Sequence, residues 1–126
     1  MRPEARGRDG NMDDDEIRFL ESGASLEKVL QLPRALLYKH STRCGTSLRA
    51  MLEVERFAST GPDVPVFGID VTRHREVSER AAEHLGVAHQ SPQAILIEAG
   101  RPVWSASHSL ITASALAAAT QERPAG

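Results

Sequence analysis

Cys44 is the only cysteine in 126 residues, and small polar residues surround it: Ser41-Thr42-Arg43 before it and Gly45-Thr46-Ser47 after it. A free cysteine in a core is an inert small hydrophobe, and that is the ordinary reading of a lone cysteine. These neighbours instead describe an exposed thiol. The apolar run Ala35-Leu-Leu-Tyr-Lys-His ahead of it reads as a buried strand, and the residues from Ser47 onward read as a helix. A thiol between strand end and helix start meets unpaired backbone N–H groups and the positive end of the helix dipole. Both favour the thiolate and lower the thiol pKa. Arg43 adds a cation next door, with Lys39 and His40 just upstream.

Cys44-x-x-Ser47 has the outline of a Cys-x-x-Cys redox motif with a hydroxyl in place of the second sulfur. Such a thiolate attacks a disulfide and forms a mixed disulfide. It cannot resolve that intermediate within its own chain, so an external thiol must close the cycle. One cysteine also excludes an intramolecular disulfide and a four-cysteine zinc site. A second feature is His89-Gln90-Ser91-Pro92-Gln93, directly before an apolar run. Proline opening a strand sacrifices no ladder hydrogen bond, and its peptide bond is open to either isomer, trans being commoner. His40, His89 and His108 are able to gather near Cys44, as proton donor to a leaving thiolate or as stabilising cation; the plainer alternative is local hydrogen bonding by each. No pair of them has metal-ligand spacing, so zinc is not expected. Lys39 is open as a point charge for a ligand or as a strand-end surface residue, and Trp104 is expected to pack. Arg73 and Arg75 with Glu76 and Glu79 read as a solvated, ion-paired face.

Several elements must position these residues. Ser25-Leu-Glu-Lys-Val-Leu predicts a short helix capped by Ser25, with Lys28 at its third position. Leu48, Met51, Leu52, Val54 and Phe57 recur at helical spacing over residues 47–58, and Thr60-Gly61-Pro62 stops them. Residues 64–71 predict a second strand. Residues 73–85 predict an amphipathic helix with Val77, Ala81 and Leu85 on one face and Gly86 as its cap. Strands over 94–98 and 102–106 are joined by a tight turn at Glu98-Ala99-Gly100-Arg101, and residues 111–120 form an Ala-rich last helix. This order predicts an α/β domain with a central four-stranded mixed sheet flanked by helices. Its first two strands are parallel through a right-handed crossover and its last two antiparallel. Residues 1–20 read as a disordered or weakly ordered tail, 21–120 as the domain and 121–126 as a second tail. Met12 is an alternative start.

Fifteen Lys and Arg against 17 Asp and Glu leave a net charge of -2, which argues against nucleic acid as a partner. No apolar run approaches the ~20 residues of a membrane helix, so no membrane association is expected. The N-terminus lacks the apolar segment of a secretory signal. These facts point to a soluble cytoplasmic domain.

Three segments in this order carry a resemblance: Lys39-His40-Ser41-Thr42-Arg43-Cys44, His89-Gln90-Ser91-Pro92-Gln93, and Trp104 to Thr112 with Ser107-His108 inside it. With the order of elements they resemble the thioredoxin fold. More closely, they resemble the monothiol bacilliredoxins, redox proteins of the bacillithiol system also called YtxJ. The resemblance covers about Ser25 to Ala118. It implies Cys44 as nucleophile; Arg43, Ser47 and His40, by their place around it in the sequence, are its expected support. It implies a cis Ser91-Pro92 peptide beside Cys44, with the preceding backbone pairing with a bound peptide or small thiol. Ser107 and His108 join Ser91 and Pro92 as the implied substrate-binding surface, and His89, in the same segment as Pro92, is expected to add to it. The family usually carries proline after the cysteine; Gly45 here loosens the first helical turn and bears on the thiol pKa and redox potential.

The implied activity is removal of bacillithiol, or a similar low-molecular-weight thiol, from protein mixed disulfides. Its partners are bacillithiolated clients, the small thiol itself as co-substrate and a partner disulfide reductase. No metal or prosthetic group is needed. Cys44-Gly-Thr-Ser also resembles the Cys-Gly-Phe-Ser of monothiol glutaredoxins, which leaves iron–sulfur cluster carriage in a dimer as an alternative. A non-catalytic binding module on the same fold is another.

Overall fold

Strand β2 (Arg34–His40) alternates its side chains between two apolar layers, and the domain is built on that alternation. Ala35 and Leu37 enter one core with Phe67, Ile69, Ile95 and Ile97; Leu36 and Tyr38 enter the other with Val66, Ala94 and Leu96. A computed structural model describes residues 17–42 and 45–121, and the structural statements below concern those residues. The order is β1 (Arg18–Phe19), α1 (Gly23–Leu30), β2, α2 (Gly45–Ala58), β3 (Val66–Asp70), α3 (Arg75–Leu85), β4 (Gln93–Glu98), β5 (Arg101–Ser107), a 3-10 turn (His108–Leu110) and α4 (Ala113–Gln121). The sheet runs β1-β3-β2-β4-β5. β2 and β3 are parallel, as are β1 and β3, while β4 is antiparallel to β2 and β5 to β4. Helices α1 and α3 cover the first core, α2 and α4 the second. Full burial of Leu26, Leu37, Ile95 and Ile97 removes aliphatic side chains worth about 1.5–3 kcal/mol each from water.

The described sheet has five strands rather than the four expected. The additional one, β1, lies inside the segment read as a tail, and two residues are too few to carry an alternating pattern. Leu20 N–H donates to Gly68 O at 2.8 Å, extending that contact. A Cβ at Gly68 would stand 2.9 Å from side-chain atoms of Ile17 and Phe19, so glycine is what lets β1 lie so close.

The cap of α1 lies one turn ahead of the expected Ser25. Ser22 Oγ accepts from Ser25 N–H at 3.1 Å, and Ser25 Oγ accepts from Ser22 N–H at 3.3 Å, a reciprocal box made by two serines. Gly86 closes α3 in the left-handed region, as expected. The β4–β5 turn places Ala99 at φ 52° and Gly100 at φ 78°, the positive angles a two-residue hairpin of matching twist demands. α4 begins at Ala113 rather than Ile111. Glu53 of α2 accepts from Ala113 N–H at 2.8 Å and Thr112 Oγ1 accepts from Ala115 N–H at 3.1 Å, so a residue distant in sequence helps set that start.

Candidate functional site

β2 ends at His40 and α2 starts at Gly45, two residues before the expected Ser47. Arg43 and Cys44, the expected cation and nucleophile, lie outside the described residues, so their surroundings are built from both flanks. On the strand flank, Tyr38 OH donates to Ser47 O at 2.9 Å and meets His40 Nδ1 at 2.9 Å. A phenol has one proton; with that proton on Ser47 O, the imidazole Nδ1–H donates to the phenol oxygen and Nε2 keeps the lone pair. Burial holds the His40 pKa below its usual value, against the opposing charges of Asp70 and Glu55, which favours the neutral ring. On the helix flank, Ser47 is fully buried and its Oγ accepts from Ser41 N–H at 3.2 Å. The hydroxyl at the place of a second sulfur therefore ties the β2–α2 loop to the first turn of α2. At Gly45 a Cβ would meet nothing within 4 Å, so the position is open to a side chain.

The Ser91-Pro92 peptide is cis, as the resemblance implied. Gln93 holds the loop before it: its Oε1 accepts from Gln90 N–H at 3.4 Å and its Nε2 donates to Ala88 O at 3.0 Å. His108 N–H donates to Pro92 O at 3.1 Å, and Ser107 stands opposite Gln93 across the hairpin. Ser91, Pro92, Ser107 and His108 thus meet at one corner of the sheet. The Ser91 hydroxyl is buried there without a hydrogen-bond partner among the described residues. His108 takes φ 55°, turning the chain from β5 into the 3-10 turn.

Between that turn and the start of α2 lies a cleft of about 520 Å³, lined by Thr46, Arg49, Glu53, His108 and Ser109 among others. Gly45, the residue bonded to Cys44, is also part of its wall. Sequence reasoning did not single out Arg49, Glu53 or Ser109. Their positions on a helix flank and in a turn look like ordinary surface until the turn folds against α2.

The three histidines go to three different places. His40 bonds Tyr38 on the α2 side and His108 lines the cleft, whereas His89 turns onto α3. His89 Nδ1 lies 3.2 Å from Ser78 Oγ and 3.3 Å from Lys39 Nζ, and Lys39 Nζ donates to Ser78 O at 3.2 Å. Lys39 is fully buried, not a strand-end surface residue, because strand alternation puts it on the same face as Leu37. Burial lowers its pKa to about 8. Burial and then the Lys39 charge also lower the His89 pKa. His89 therefore braces the loop leading to Pro92 from behind the sheet. Trp104 packs partly buried against the second core.

Residues 18–116 match the family model described as monothiol bacilliredoxin BrxC. The chain belongs to the monothiol bacilliredoxin family. That stretch contains Cys44, the cis Ser91-Pro92 bond and the Ser107-His108 corner. Solved structures agree on the fold of this bacilliredoxin-family chain. One, described as a candidate oxidoreductase with a thioredoxin fold, is 29% identical with a TM-score of 0.77, over 84% of this chain and 94% of its own. A thioredoxin mutant from Halobacterium salinarum is 20% identical with a TM-score of 0.70, over 89% and 94% of the two chains. The thioredoxin of Trypanosoma brucei brucei is 13% identical with a TM-score of 0.72, over 94% and 100%. The fold is thioredoxin-like, and family and fold together make this a thiol redox protein. No helix among the described residues is long and apolar enough to cross a membrane.

Proposed function

We propose that this bacilliredoxin-family chain removes bacillithiol, or a closely similar small thiol, from protein mixed disulfides through Cys44. The observation that carries this reading is the family match over residues 18–116, which includes the chain's only cysteine. The Cys44 thiolate attacks the bacillithiol sulfur of the mixed disulfide. The bond from Cys44 to that sulfur forms, the original disulfide breaks, and the client cysteine leaves as thiolate and takes a proton from solvent. Ser47 cannot resolve the adduct, so free bacillithiol or a partner disulfide reductase attacks it and returns Cys44 to the reduced state. The cleft beside α2 and the Ser91-Pro92 and Ser107-His108 corner serve as the substrate surface. Arg43, Ser47 and His40 support the nucleophile, and His89 acts on the corner from behind through its loop. No metal or prosthetic group takes part, bacillithiol being the co-substrate. A cytoplasmic setting, where thiols are kept reduced, suits this chemistry.

The test is intact mass after exposure to a bacillithiolated peptide, with a glutathionylated peptide in parallel. A bacillithiol adduct lost in Cys44→Ser, with little glutathione adduct, is the expected result. No adduct from either peptide sinks the reading and brings cluster carriage or a binding role forward.

A further inference from the structure

We propose that Arg49 makes this protein selective for low-molecular-weight thiols that carry a carboxylate, holding that carboxylate in the cleft while the thiol's sulfur is joined to Cys44. The inference rests on the de-thiolation reading above and names the chemistry that its small thiol must have.

Arg49 lies one turn beyond Gly45 on the same face of α2, since residues four apart on a helix are neighbours, and both line the cleft. Glu53 is the next residue along that row and the natural ion-pair partner for Arg49. It is engaged elsewhere. Glu53 Oε1 accepts from Ala113 N–H at the start of α4 at 2.8 Å, and Oε2 accepts from Arg56 Nη1 at 3.5 Å. Arg49 has no ion pair or hydrogen bond among the described residues. The cleft therefore holds an uncommitted guanidinium, an acid whose oxygens already have partners, and the hydroxyl residues Thr46, Ser109 and Thr112. A guanidinium forks onto a carboxylate with two parallel N–H donors. The hydroxyls suit the polar remainder of a small ligand. An uncharged thiol would fill the same space and leave Arg49 unused.

In the reaction the Cys44 thiolate bonds to the sulfur of the small thiol R–SH in R–S–S–peptide. The peptide thiolate leaves and the product is Cys44–S–S–R. Arg49 touches R only, so its contribution depends on the charge of R and not on the exchange itself.

The experiment compares one peptide carried as its mixed disulfide with mercaptosuccinate, which has two carboxylates, or with β-mercaptoethanol, which has none. Rates of adduct formation on Cys44 are read by mass in the full chain, in Arg49→Gln and in Arg49→Lys. The ratio of the two rates cancels any change in the thiolate itself. Arg49→Gln should lower the mercaptosuccinate-to-mercaptoethanol ratio about tenfold, on the order of one hydrogen bond to a charged group, and Arg49→Lys should lose less. An unchanged ratio, or equal loss on both probes, overturns the inference and leaves de-thiolation standing. A second measurement does not need the exchange reaction. Titrating the full chain with the unreactive thioether methylthiosuccinate should shift the backbone amides of Thr46, Arg49 and Ser109, and Arg49→Gln should abolish those shifts. Such shifts without any adduct would retain the carboxylate site and sink the de-thiolation reading; their absence overturns the carboxylate site.

Discussion

Two buried polar groups show what single residues do around this site. Lys39 is fully enclosed between β2 and α3, and its pKa falls to about 8 from 10.5 because burial disfavours the ammonium. Below pH 8 folded and unfolded chains are both protonated at Lys39, and the desolvation cost is fully present. Between about 8 and 10.5 the unfolded chain binds more protons, so stability from this group rises with pH. Wild type should therefore gain on the order of 2 kcal/mol relative to Lys39→Met between pH 7.5 and pH 10, read from urea midpoints at the two values. Equal differences at both pH values would show that the amine is not desolvated. Ser47 is the other group, its Oγ accepting from Ser41 N–H three residues before Cys44. In Ser47→Cys a thiolate at that place attacks the Cys44 sulfur of an adduct and expels the small thiol, since the substitution restores the spacing of a Cys-x-x-Cys redox motif. The Cys44 adduct that accumulates in wild type should then give way to an internal disulfide between Cys44 and the introduced thiol, detected as a mass two hydrogens lighter than the reduced variant. A persistent adduct would place the two sulfurs out of reach of each other.

At the scale of elements, the β4–β5 hairpin and the opening of α4 are where local sequence and neighbouring elements share control. Ala99 occupies φ 52°, a region that costs an L-residue with a Cβ roughly 1–2 kcal/mol and that Asn tolerates better. Ala99→Asn should raise stability by about 0.5–1 kcal/mol, seen as a higher thermal midpoint with unchanged exchange activity. A lower midpoint would mean that the turn is held by something other than its backbone angles. The turn was legible in Glu98-Ala-Gly-Arg because glycine between two apolar alternations marks a short hairpin. Helix α4 was legible only in its body. Its start at Ala113 depends on Glu53, sixty residues earlier, and nothing local distinguishes Ile111 from Ala113 as the first residue. The α1 cap was misplaced for a similar reason: Ser22 and Ser25 are both good capping residues, and their mutual hydrogen bonds decide which one is the cap.

For the whole molecule, the strand that local pattern could not reveal closes the sheet. β1 covers the β3 edge, and Leu20 behind it is 6% exposed in the first core. A chain beginning at Glu21 should lose at least about 2 kcal/mol, the worth of one buried leucine together with its strand pairing, read as a lower urea midpoint. An unchanged midpoint would show that β1 contributes nothing to the fold. Periodicity and glycine placement by themselves determined the order of elements from α1 onward, the parallel pair β2 and β3, the final hairpin and a lone thiol between the β2 and α2 segments, because these follow from apolar spacing and backbone preference along the chain. The Pro92 isomer had support only from the family resemblance. Tertiary structure alone decided which residues the ends of distant elements share. Lys39 proved buried because α3 lies over its face of the sheet, His89 turned to that same side, and the 3-10 turn folded against α2 so that Arg49 and His108 line one cleft. Those outcomes depend on contacts between residues far apart in the chain, and side-chain type at a single position carries no record of its distant neighbour.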